Sequence, residues 1–383
     1  MLRTFAFSSR VLSSIALTLA MFLAASPAAV WARPAAQSTR ELQVLVGVGQ
    51  DTVSIDAYLP HTVRVRVGDT VTWTLNGDEP HTVTFSQGET FEGATRPDPY
   101  AAPGDLMPQP AMNAPGPGGA PISILNPLGL FATRAADAPV ETYSGSGYAS
   151  SGRMTKESLI PGSPPYRTYS LTFDTPGLYE YRCVIHADYM SGLVDVAPAS
   201  AADVPTQADI DATAQQEQAL FMDRLGRARA QGTTPRSQPG PNSTSTWFVR
   251  AGNGLFQIDD AHVNLLEFLP KEQTIHAGDT VIWSSSAVHT VTFNPTPPEP
   301  QWLTPEVQPD GSVRVVRSAQ LLAPANPSGI FDPTRFFNSG VINPAGPLGA
   351  TWSLTFDKSG TFGYYCGVHR DQGMKGTITV LPR

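Results

Sequence analysis

Tyr364-Tyr365-Cys366-Gly367-Val368-His369-Arg370-Asp371-Gln372-Gly373-Met374-Lys375-Gly376 gathers a thiol, an imidazole and a thioether within nine residues, near the end of a 383-residue chain. Thiolate and thioether sulfur are soft donors that hold Cu(I), and imidazole serves Cu(I) and Cu(II) alike; two His and one Cys with a weak axial Met make a blue-copper site. One imidazole is missing from the stretch. The candidate is His289, in Val288-His289-Thr290-Val291-Thr292-Phe293, a strand-like run far upstream. A site drawn from both segments would tie distant parts of one sheet fold together.

The arrangement occurs twice. Tyr181-Arg182-Cys183-Val184-Ile185-His186-Ala187-Asp188-Tyr189-Met190-Ser191-Gly192 closes an earlier region, preceded by Pro80-His81-Thr82-Val83-Thr84-Phe85 with the same His-Thr-Val-Thr-Phe run. A separated His, then Cys, two residues, His, and a Met shortly after resembles the cupredoxins of the plastocyanin, azurin and auracyanin type, in each half from first strand to last. Four residues separate His369 from Met374, the plastocyanin-like spacing, while three separate His186 from Met190. Long axial bonds tolerate that shortening. The resemblance implies an all-β chain of two tandem cupredoxin-like Greek-key β-sandwiches joined by a partly helical linker. It implies type 1 copper, one per domain: His289, Cys366 and His369 with axial Met374, and His81, Cys183 and His186 with axial Met190. It also implies that the His following each Cys lies near the surface and offers the route for electrons.

Each domain carries a single cysteine, so neither holds an internal disulfide. The alternative to a metal ligand is a buried free Cys acting as a small hydrophobe, but a lone exported thiol invites oxidation unless a metal occupies it. Export is expected because Arg3 and Arg10 precede an apolar run from Val11 to Ala25, and Val30-Trp31-Ala32 offers a cleavage site: residues 1–32 form a signal peptide. That run is short for a membrane span, and no membrane span is expected after its removal. Cleavage would move the net charge from −8 to about −10. An acidic balance argues against nucleic acid; it suits a basic redox protein partner, or serves solubility alone.

With 33 Gly and 36 Pro against only 15% charged residues, the chain suits strands joined by turn-rich loops. Domain 1 spans residues 41–198 and begins with period-two alternation near Leu42, continuing through Val63 to Trp73 with a turn at Gly68-Asp69. Domain 2, residues 245–383, repeats this from Ile275 to Trp283 around Gly278-Asp279. Trp73 and Trp283 are expected in the core, with an electron relay as the alternative. Later, Tyr169, Leu171, Phe173, Gly177, Tyr179, Tyr181 and Cys183 stand opposite Trp352, Leu354, Phe356, Gly360, Phe362, Tyr364 and Cys366 at a constant offset of 183. These alternating aromatics belong inside a sandwich of short antiparallel strands.

Two long insertions, roughly residues 86–167 and 295–350, share the signposts Asn126-Pro127-Leu128-Gly129-Leu130-Phe131 and Asn326-Pro327-Ser328-Gly329-Ile330-Phe331. They are expected either to pack beside the copper end and shape partner access or to cover a sheet edge. In the linker, residues 199–244, Thr206 and Asp209 start a helix, and Ile210, Ala214, Phe221, Leu225 and Ala228 form one stripe. Gly232 ends it. Coil is expected on both sides of that helix.

Copper with two imidazoles, a thiolate and a weak thioether accepts both oxidation states in nearly one geometry, which suits an electron carrier. Thr82 and Thr290 either hydrogen-bond around the sites or serve as ordinary strand residues. A copper enzyme such as a two-domain nitrite reductase needs further imidazoles, and of seven His only His61, His262 and His276 remain, none in a motif. Copper storage or delivery, or a surface-binding module, is the other alternative; storage proteins carry many Met, His or Cys, and this chain has eight Met.

Overall fold

Asp69 and Asp279 show how the sequence repeat becomes architecture. The computed structural model describes residues 38–87, 94–97, 106–135, 137–186, 190–253, 263–295, 297–326, 329–344 and 346–383. The expected signal peptide, His262, and Pro327 and Ser328 of the second signpost lie outside them. In the first half, strand Thr62–Arg66 turns at Gly68, whose φ of +91° favours glycine, into strand Thr70–Leu75. The sequence suggests a simple turn. Here it is a corner that changes sheets, because Thr62–Arg66 pairs with Ser191–Ala197 in one sheet and Thr70–Leu75 with Glu41–Val48 in the other. Both pairings are parallel, correcting the expectation of a purely antiparallel sandwich. The second half repeats the corner at Gly278 (φ +92°), with Glu272–His276 parallel to Lys375–Leu381 and Ser245–Ala251 parallel to Asp279–Ser285.

The corner carboxylates hold the edges together. Asp279 is 1% exposed and accepts from the backbone N–H of Ser245 (2.8 Å) and His276 (2.9 Å), from the Trp247 indole (3.0 Å) and from Arg383 (2.5 Å). Asp69 likewise accepts from the N–H of Arg40 and Arg66 and from the Arg40 guanidinium.

Between the sheets lie the repeated aromatics. Strands Thr168–Phe173 and Gly177–Arg182 match Thr351–Phe356 and Gly360–Tyr365 at the offset of 183. Trp73 and Trp283 are fully buried, 5.1 and 5.5 Å from Tyr181 and Tyr364 in edge-on contacts. Each half therefore has its own core.

The halves are nevertheless interlocked within one compact unit of residues 39–383. Strand Val263–Leu265 of the second half pairs antiparallel with Val53–Leu59 and extends the first half's sheet to six strands. A third core lies behind this seam. Helix Gln207–Gly232, capped reciprocally by Thr206 and Asp209, buries Ala214, Leu225 and Ala228 against Ile55, Leu59, Val263 and Leu265. Ile210 packs into the first core, and Phe221 is only partly buried. After the helix, the expected coil contains an edge strand, Arg236–Pro239, paired with Ser245–Ala251. All four of its residues are exposed, so it leaves no apolar alternation to read.

The insertions meet each other. Hairpin Ala111–Pro115 with Pro121–Leu125 and hairpin Leu303–Val307 with Val313–Arg317 join at Val316 and Ile124 into one four-stranded sheet. Arg317 donates to Ser123 Oγ at 2.8 and 2.7 Å across the junction.

Burial alone would raise the Asp279 pKa, but its four donors hold it below the usual carboxylate range. An unfolded Asp titrates at about 3.9, so this group's contribution is full above that value and is lost as pH falls through the lower folded value. Asp279→Ala should cost about 2–4 kcal/mol at pH 7 by leaving buried donors unpaired. Urea unfolding of both proteins at pH 7 and pH 3 should show the difference shrinking in acid.

Candidate metal centre

Each ligand set forms where strands end. Cys183 follows Gly177–Arg182, and His81 precedes Thr84–Phe85, bridged through its backbone to Met154 (N–H to Met154 O 3.2 Å, O from Met154 N–H 2.7 Å). Cys366 follows Gly360–Tyr365, and His289 is bridged likewise to Ile342. The Cys-to-Met loops close alike: Cys183 N–H donates to Met190 O (3.0 Å) and Met190 N–H to His186 O (3.0 Å), while Cys366 N–H donates to Met374 O (3.0 Å) and Met374 N–H to His369 O (3.1 Å). In the second loop Gly373 has a φ of +86°, a conformation that favours glycine. Met190 and Met374 are fully buried in the same apolar clusters as their cysteines.

The donor atoms converge. His81 Nδ1 and His186 Nδ1 are 3.2 Å apart, with Cys183 Sγ 3.6 Å from His186 Nδ1. In the second set the two Nδ1 atoms of His289 and His369 are 3.1 Å apart, and Cys366 Sγ is 3.8 and 3.6 Å from them. In each set one nitrogen from each His and the sulfur lie within 4.8 Å of one another. At bond lengths of about 2.0–2.3 Å, typical of N and S donors to a divalent ion, one cation can touch all three. The donors fit copper chemically: two imidazoles, one thiolate and a thioether nearby.

Electrostatics prepares the two sets differently. Burial pushes His289 down to about 3 and, with the neighbouring His289 and His186, drives His369 well below the ordinary range. His81 is depressed by burial, His186 and Arg153. Such imidazoles are neutral, as a metal ligand must be. His186 differs: against burial, Asp56, Cys183 and Glu79 raise it to about 9, and its charge draws the Cys183 thiol down. Cys366 has no such cation, and burial raises it.

Hydrogen bonds fix the sulfurs. The backbone N–H of Thr82 donates to Cys183 Sγ at 3.3 Å, and that of Thr290 to Cys366 Sγ at 3.4 Å. The hydroxyls of both threonines accept from the residue after the cysteine, Val184 (2.8 Å) and Gly367 (2.6 Å). Thr82 and Thr290 thus clamp the two segments that supply ligands.

Several residues of the site escaped the sequence patterns. Gly47 (φ +63°) and Gly252 (φ +71°) press against Nε2 of His81 and His289, where a Cβ would collide with the ring. Those Nε2 atoms have no hydrogen-bond partner, so backbone contact positions the rings. Glu79, 8% exposed, stands where the second half has Ala287; burial and Asp56 hold its carboxyl up to about 7. Glu79, Arg153, His186 and His369 all line one cavity of about 220 Å³, roofed by Leu125 and Trp302 of the two insertions. His186 is partly exposed, whereas His369 is 6% exposed on the wall of that cavity. Leu125, Trp302 and Arg317 of the insertions line the same cavity, and Glu79 of the first half lies 3.9 Å from His369 Nε2. Of the remaining histidines, His61 is exposed at the bend before strand Thr62–Arg66 and His276 is exposed at the end of strand Glu272–His276.

Residues 256–381 match the family described as copper binding proteins, plastocyanin/azurin family. Plastocyanin of Scenedesmus fuscus is 31% identical over 117 residues, covering 30% of this chain and 87% of that protein. Among solved structures, oxidised plastocyanin from Dryopteris crassirhizoma is 17% identical, covering 35% of this chain and 99% of that one, with a TM-score of 0.21. A mutant amicyanin in its Cu(I) form is 20% identical, covering 41% and 82%, with a TM-score of 0.20.

Gly252→Ala should displace the His289 ring and weaken copper binding at the second set about 10–100-fold, the usual loss when a residue supporting a ligand is changed. Competition with a calibrated chelator measures this. An unchanged affinity would show that the ring is positioned by something other than this backbone contact.

Proposed function

Because the chain belongs to the plastocyanin/azurin family of copper-binding proteins, we propose that it is an exported electron carrier holding one type 1 copper at each of two sites. The ligands are His81, Cys183 and His186 with axial Met190, and His289, Cys366 and His369 with axial Met374. The observation that carries this is the duplicated triad: two imidazole nitrogens 3.1–3.2 Å apart beside a buried cysteine sulfur, in both halves. Bound copper would supply a one-electron couple. The protein's part is to hold donors in place through the change of charge: strand ends anchor the His, the threonine clamps fix the sulfur, and the apolar shell excludes water.

Electron transfer is favoured over an enzyme because, among the described residues, the remaining histidines His61 and His276 are exposed and join neither triad. It is favoured over storage because ligands are concentrated in two closed sets rather than spread along the chain. The N-terminal apolar run supports export to a periplasm or cell surface, and the acidic balance suits a basic redox protein as partner.

Titrating the mature protein with copper(II) while following the visible thiolate-to-copper charge-transfer band should reach saturation at two equivalents. Cys183→Ser and Cys366→Ser should each remove one equivalent of that band. Absence of the band from the unaltered protein would contradict the proposal.

A further inference from the structure

The two ligand sets open onto the same cavity. His186 and His369 each face their own cysteine through Nδ1, at 3.6 Å, which leaves Nε2 on the far side of each ring. Both rings line the 220 Å³ cavity. Glu79 reaches into it from two residues before the ligand His81, and its Oε2 lies 3.9 Å from His369 Nε2, longer than a hydrogen bond and not an ion pair while the imidazole is neutral. The carboxylate also acts electrostatically on His186. A short path therefore runs from one triad to the other: His81, Pro80, Glu79 and His369, three of them joined by peptide bonds and the last by one polar contact.

The outer boundary of this space is lopsided. His369 is 6% exposed, beneath the sheet that the two insertions build together, whereas His186 is partly exposed. His369 therefore offers a protein partner less surface than His186 does. The residues of the shared sheet belong to neither sandwich core, and the carboxylate has no counterpart at Ala287. The covering sheet and Glu79 have a common effect, which is to turn the second site inward toward the first.

We infer that the two sites work in series: an electron enters at the first, crosses the cavity by way of Glu79 and the facing histidines, and comes to rest at the second. This rests on the proposal that both triads hold copper. With both sites loaded, the internal step would oxidise a Cu(I) held by His81, Cys183 and His186 to Cu(II) and reduce a Cu(II) held by His289, Cys366 and His369 to Cu(I). One electron moves, no bond forms or breaks, and the external donor restores the first site. Tunnelling weakens steeply with distance, so a buried, connected pair of ligand edges is where such transfer is fastest.

Electron paramagnetic resonance of the unaltered protein carrying two Cu(II) tests the juxtaposition without any variant. The spectrum should show dipolar broadening, absent from Cys183→Ser and Cys366→Ser, which leave one blue copper each; a spectrum equal to the sum of the two single-site spectra would overturn the inference. Stopped-flow reduction by reduced cytochrome c, a basic protein too large for the cavity, tests the direction. Reduction of the second site should slow at least tenfold in Cys183→Ser, and an unchanged rate would overturn the series order. Glu79→Ala should slow the internal phase severalfold while Glu79→Gln, which keeps the side chain's reach, restores most of it; equal rates in all three proteins would remove Glu79 from the path. Two copper equivalents with additive spectra would sink this inference and leave two-copper binding standing, whereas failure to bind two coppers would sink both.

Discussion

Two imidazole nitrogens held 3.1 Å apart beside a buried cysteine sulfur make a demanding arrangement. Unpaired polar atoms inside an apolar core cost free energy, and a cation shared among them turns that cost into binding. The fold meets the demand at strand ends. His289 and Cys366 are brought together by the pairing of Thr292 with Tyr365, and Thr290 locks the two segments through its N–H and its hydroxyl. The same solution serves His81 and Cys183 through Thr84 and Arg182, with Thr82 as the lock. Sandwich cores of stacked aromatics give those strand ends a rigid base.

The second constraint is that the halves do not stand apart. Strand Val263–Leu265 lies in the first half's sheet, the linker helix seals the seam with its own small core, and the insertions add a shared sheet over the metal ends. Three separate contacts thus hold one ligand set near the other. The chemistry around them is unequal: Asp56, Cys183 and Glu79 raise His186 of the first set, while burial depresses both His289 and His369 of the second, although Glu79 also approaches His369. Similar ligands in unlike electrostatic surroundings need not share a potential, and a difference is what gives electron flow a direction.

Much of this was legible in the sequence because it is local. Cys-x-x-His followed by Met is one loop, and the offset of 183 places whole strands of one half on those of the other. The helix declares itself through Thr206, Asp209 and its apolar stripe. What stayed hidden depends on distant segments meeting. The sheet-changing corners at Gly68 and Gly278 look like ordinary turns, and the strand Arg236–Pro239 is exposed along its length. Gly47 and Gly252 matter only because a histidine from another strand leans on them, and Glu79 only because His369 arrives across the cavity. The neighbours of His369 in the cavity are hidden in the same way, because they come from residues distant in sequence.

Anomalous diffraction at the copper absorption edge, from crystals of the copper-loaded protein, tests the central claim most directly. The account predicts two peaks per chain, one bounded by His81, Cys183 and His186 and the other by His289, Cys366 and His369, on opposite sides of the cavity that contains Glu79. A single peak, or copper bound outside these triads, would contradict it.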